Sequence, residues 1–120
     1  MATYISNAFS IGMLSSNDSI VRIKNLELEK VKEILSRGFI SAVGHKATAD
    51  VITQMVGIDI PTNRVEIKLT TSDKLVVFQI LTRLPEGVIL SKEEVDKIPH
   101  KWYLVELLPP DETIEALYHW

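Results

Sequence analysis

A single small α/β domain, with a mixed β-sheet of about five strands flanked by helices, is what three features of this 120-residue sequence predict. Residues 26–37 and 46–56 repeat apolar positions at helical spacing. Residues 2–5, 19–24, 64–69 and 102–108 alternate with the period of a strand. Residues 74–81 are almost continuously apolar, as expected of a central strand covered on both faces.

Composition narrows the function classes. A hydrophobic content of 46% against 24% charged residues marks an ordinary globular chain, long enough for one core and short enough to gain from dimerisation. With no cysteine there is no disulfide framework, thiolate nucleophile or Cys-ligated zinc site. The longest apolar run is far shorter than a membrane span, and the first residues lack a basic region followed by a signal-type core, so no membrane partner and a cytoplasmic setting are expected. A net charge of −3 argues against duplex DNA but tolerates a small polyanion if a few cations gather in one place. His45, His100 and His119 include no pair at the spacing of a helical metal site, so no metal or other cofactor is expected.

Taken in order, residues 2–5 read as the first strand, followed by a polar-apolar break in which Asn7 and Ser10 suit a turn or a ligand. Residues 19–24 suggest a second strand, and Asn25 can cap a helix to Arg37, with Gly38 at its end. A short apolar piece, 39–43, leads to Gly44 and His45, which opens a helix closed by Gly57. In residues 64–69, Val65, Ile67 and Leu69 face one way, while Arg64, Glu66 and Lys68 line the other, a face that is solvated or ligand-bearing. Gln79 interrupts the central strand as an amide that burial would oblige to find partners, and Arg83 and Glu86 flank a Pro-Gly turn beyond it. Ser91 and Glu94 form a capping-box pattern, residues 102–108 a last strand, and Asp111 can cap a final helix through Tyr118.

His45 is the sharpest candidate for chemistry. Histidine titrates near neutrality, and a helix start presents unpaired N–H groups to an anion. A helix-capping histidine is the plainer reading of the same position.

Five segments, read together, carry a resemblance. Residues 7–11 with Met13 and Leu14, Gly44-His45 with Thr48, residues 63–68, Gln79 with Arg83-Leu84, and Glu86-Gly87 with Ile89-Leu90 strongly resemble the viral type III anti-CRISPR ring nucleases and their cellular relatives. The similarity runs in order from Thr3 to Tyr103 and leaves residues 109–120 outside it as an extension of the single domain. It implies a two-fold homodimer that cleaves cyclic tetra-adenylate, with His45 as general acid and Arg83 and Glu86 as active-site residues. Asn7, Ser10, Ile11, Gly44, Arg64, Lys68 and Gln79 are then the substrate-binding candidates. Gly12, Lys46 and Ala47 depart from the Asn, Asp and Ser of archaeal viral members.

The chemistry is consistent with these residue types. Metal-free RNA cleavage needs an aligned ribose 2′-hydroxyl, positive charge at the phosphate and a proton for the leaving 5′-oxygen. Substrate supplies the first, Arg83 with Lys68 or Arg64 the second, and His45 the third. The same cations would equally serve a protein that binds the ring and only sequesters it; a small structural or regulatory dimer is the third reading.

Overall fold

The computed structural model describes residues 2–15, 18–84 and 90–109. Five strands, β1 (Thr3–Ser6), β2 (Val21–Asn25), β3 (Ile40–Ser41), β4 (Lys74–Ile80) and β5 (His100–Leu107), form one sheet in the order β2-β5-β4-β1-β3. β1, β3 and β4 are parallel, and β5 runs antiparallel to both β4 and β2. The carboxyl ends of the three parallel strands therefore share one edge of the sheet.

Three helices, α1 (Leu28–Ser36), α2 (Lys46–Val56) and α3 (Lys92–Asp96), pack on one face. Their apolar stripes meet the inward residues of the sheet: Val31 and Leu35 of α1, Ile52 of α2 and Val95 of α3 join Ile5, Val76, Phe78 and Trp102 in one core. Phe78 and Trp102 pack ring to ring, tilted, with centroids 4.8 Å apart. Both interruptions of this layer have left-handed glycines, Gly38 after α1 (φ 109°) and Gly57 closing α2 (φ 72°), where a Cβ would strain the backbone.

The other face has a smaller core of Leu75, Val77, Val105 and Leu107, roofed by Ile67, Leu69 and the residues around a short 3₁₀ turn, Ile11–Met13. Residues 64–69 are not the ladder strand that their alternation suggests. Ile67 and Leu69 do turn inward, but the backbone lies across the sheet face and joins the 3₁₀ turn instead, through a Leu14–Leu69 bridge and the Leu69 N–H donating to Met13 O at 2.7 Å. Val65 is 48% exposed rather than inward.

Smaller corrections have similar causes. Asn25 does not cap α1; it ends β2 opposite Tyr103, and Glu27 takes the cap position, so the helix starts two residues beyond the expected Leu26. Gln79 is exposed rather than buried, because it lies at the end of β4, past the cover. The capping box stands as expected: the Ser91 hydroxyl accepts from Glu94 N–H, and the Glu94 carboxylate accepts from Ser91 N–H. The expected final helix from Asp111 lies outside the described residues.

At the amino edge of the parallel strands, the buried Asp73 carboxylate closes the sheet. It accepts from the N–H of Ala2 at 2.9 Å, from the N–H of Thr70 at 2.9 Å and from the Thr70 hydroxyl at 3.0 Å. Burial pushes its pKa up, but the combined hydrogen bonds outweigh that and hold it below the ordinary carboxylate value.

Candidate functional site

The opposite edge is built from the segments that leave the parallel strands. Asn7 follows β1, Gly44 and His45 follow β3, and Gln79 and Arg83 lie at and beyond the end of β4. Open parallel sheets commonly hold ligands at this edge, because backbone ends and loops converge there above a rigid floor.

His45 is the N-cap residue of α2 by backbone, its carbonyl accepting from Ala49 N–H at 3.0 Å, yet its side chain makes no cap hydrogen bond. The imidazole is thus placed by the helix without being used by it. Lys46 is occupied elsewhere, paired with Asp50 at 2.8 Å on the exposed side of α2.

Arg64 reaches this point from the roof segment. Its Nε donates to Gly44 O at 3.3 Å, and a Cβ on Gly44 would stand 3.0 Å from Arg64 Cγ. Glycine at this position lets the arginine stem cross the backbone next to His45. Asn63 secures the crossing: its N–H donates to Val43 O at 2.8 Å and its amide to Ser41 O at 2.7 Å.

Three depressions share Asn7 in their linings. One, of about 390 Å³, is lined by Asn7, Gly44, His45, Arg64 and Glu66, among others. A second, of about 440 Å³, joins Asn7 to Thr48, Gln79, Thr82 and Arg83. A third, of about 430 Å³, opens from Asn7 and Gln79 onto the roofed face of the sheet. Among the described residues, Asn7, His45, Gln79 and Arg83 have no side-chain hydrogen bond, so their donors and acceptors are open to a ligand.

The structure thus brings together Asn7, Gly44, His45, Arg64, Gln79 and Arg83 from the sequence-derived set. It does not bring Ser10, Ile11 or Lys68 into these depressions. Ser10 caps the 3₁₀ turn by position, Ile11 is 81% exposed on it, and the Lys68 ammonium donates to Gly12 O at 2.7 Å. Lys68 therefore anchors the turn that carries Ser10 and Ile11. Glu86 lies outside the described residues. Thr82 and Glu66 were not singled out as site residues by sequence reasoning; an isolated hydroxyl or acid in a polar loop carries no periodic signal. No group of three or more His, Asp or Glu side chains suited to a metal occurs among the described residues.

These features define a small α/β domain with polar, cation-bearing depressions at the carboxyl edge of its sheet. The chain belongs to the STIV B116-like family, whose model matches residues 3–102. It is similar to B116 of Sulfolobus turreted icosahedral virus, with a TM-score of 0.79 and 30% identity over 88% of this chain and 99% of that one. It is 36% identical to "Uncharacterized protein 26" of a Sulfolobus islandicus filamentous virus, covering 93% of this chain and 97% of that protein. A cellular relative, "Uncharacterized protein YddF" of Bacillus subtilis, is 27% identical over 84% of this chain and 96% of its own. No helix among the described residues is long and apolar enough to cross a membrane.

Proposed function

We propose that the protein is a ring nuclease that cleaves cyclic tetra-adenylate without a metal and so switches off type III CRISPR signalling. The observation that supports this most is the unengaged His45 imidazole beside Arg64 in one depression, with Arg83 in the adjoining one. A proton donor and two guanidinium groups lining depressions that share Asn7 suit a phosphodiester whose nucleophile is its own ribose.

In the proposed step, the ribose 2′-oxygen bonds to the adjacent phosphorus and releases its proton to solvent. The bond from phosphorus to the 5′-oxygen breaks, and the His45 imidazolium gives its proton to that oxygen, leaving a cyclic 2′,3′-phosphate. Arg83 and Arg64 hold the phosphate oxygens as charge builds on them. Glu86 orients Arg83 or the ribose. A two-fold dimer fits a ring of four identical nucleotides, presenting the same groups to opposite linkages. It also collects cations from two negatively charged chains in one cleft.

The test is incubation of the full chain with labelled cyclic tetra-adenylate in EDTA, with sedimentation to count subunits. Linear di-adenylate supports the enzyme; intact ring retained on the protein supports sequestration instead; absence of binding removes both.

A further inference from the structure

The third depression is not explained by the proposed chemistry. It lies on the roofed face between β4, β5 and β2, and its lining is of two kinds: the rings of Phe9 and Tyr103 with Ile23 and Val77, then the carboxamides of Asn7 and Gln79. Ile23 is 56% exposed here, and Tyr103 and Phe9 are half-buried, so an apolar surface stands open beside polar amides. Lys101 faces Gln79 in register across β4 and β5, which places an exposed ammonium-bearing side chain at the polar end of the same face.

We propose that this groove is a nucleotide subsite that stacks a purine base on Tyr103 and Phe9, presents its edge to Asn7 or Gln79, and meets its phosphate with Lys101. The proposal rests on the ring-nuclease reading for its ligand and deepens it, since Asn7 and Gln79 belong to both the groove and the depressions around His45 and Arg83. Aromatic faces accept any base, and a carboxamide can pair with adenine's amino group and ring nitrogen together, so the two kinds of lining suit the face and the edge of an adenine. A cation beside aromatic surface is the composition of single-stranded nucleotide sites, and it distinguishes this groove from a purely apolar contact. Shared lining argues for the occupant: the groove has Asn7 in common with the depression around His45, and Asn7 and Gln79 in common with that around Arg83, so a base bound here lies next to the depressions that hold its phosphate.

The experiment measures binding and cleavage of labelled cyclic tetra-adenylate by the full chain and by Tyr103→Leu, Phe9→Leu and Lys101→Gln, with melting and sedimentation as controls. Leucine keeps apolar volume and removes the ring. Each aromatic variant should weaken binding by roughly 5- to 150-fold, the range of one base–aromatic stack, while kcat at saturation stays within about twofold. Lys101→Gln should lower the slope of log affinity against log salt by about 0.7. Unchanged ring affinity in both aromatic variants overturns the subsite while leaving the enzyme intact. A change in subunit number with no change in affinity also overturns it, by making the groove a contact between copies. Binding that depends on Tyr103 in a protein that never cuts the ring supports the subsite and removes the nuclease reading. A wild-type chain that binds no ring removes both.

Discussion

The two edges of this sheet use polar groups in opposite ways. At the amino edge of the parallel strands, Asp73 is buried and takes three hydrogen bonds, two from backbone N–H groups of different segments. At the carboxyl edge, His45 is exposed, sits at a helix start and gives its side chain to no hydrogen bond among the described residues. A satisfied polar group holds a fold together, and an unsatisfied, exposed one costs little and is available to a ligand. One edge therefore reads as closure and the other as site.

That contrast predicts a clean separation of effects. The largest belongs to His45→Ala, which should slow ring cleavage by about 10²–10⁴-fold while leaving ring binding and the melting temperature nearly unchanged, as single-turnover kinetics and calorimetry will show. A substantial loss of stability here would break the contrast. Asp73→Asn should do the reverse, costing roughly 1–3 kcal/mol in denaturant unfolding with cleavage of the folded protein intact. Because the folded-state pKa of Asp73 is lowered, its stabilisation is fully present above the unfolded carboxylate value and is lost as pH falls through the folded one. Wild-type stability should therefore decline in that acid range more steeply than that of Asp73→Asn.

Two glycines at either end of the same segment sharpen the comparison. Gly57→Ala places a Cβ on a left-handed residue (φ 72°) that closes α2, and should cost about 1 kcal/mol of stability without altering ring affinity. Gly44→Ala should cost least, a few-fold in ring affinity, because the Arg64 stem must give way by a few tenths of an ångström at the 3.0 Å contact and loosen its bond to Gly44 O. Equal effects of both glycine variants on affinity would mean that the site is not confined to the start of the helix.

Much of this architecture was legible in the residues themselves. The bounds of α2 follow from its apolar spacing between His45 and Gly57, and the capping box of α3 from Ser91 and Glu94, because helices are made of contacts a few residues apart. Residues 64–69 resisted for the complementary reason. Alternation correctly turned Ile67 and Leu69 inward, but a backbone's hydrogen-bond partner is a distant segment, and here it is the turn at Met13 rather than a neighbouring strand. Lys68 shows the same gap, since a lysine selected for its charge also donates to the Gly12 carbonyl, a partner 56 residues away that spacing cannot announce.

By itself the sequence determined the local pieces: where helices start and stop, which faces are apolar, and that His45 stands at a helix start after a glycine. Tertiary structure alone decided that β1, β3 and β4 end on one edge, so that His45 and Arg64 border one depression and Arg83 another with Asn7 common to both, and that the His45 side chain makes no hydrogen bond among the described residues. The physical reason is range. Capping and periodicity are written within a few residues, whereas the order of strands is set by which apolar faces bury one another across the whole chain.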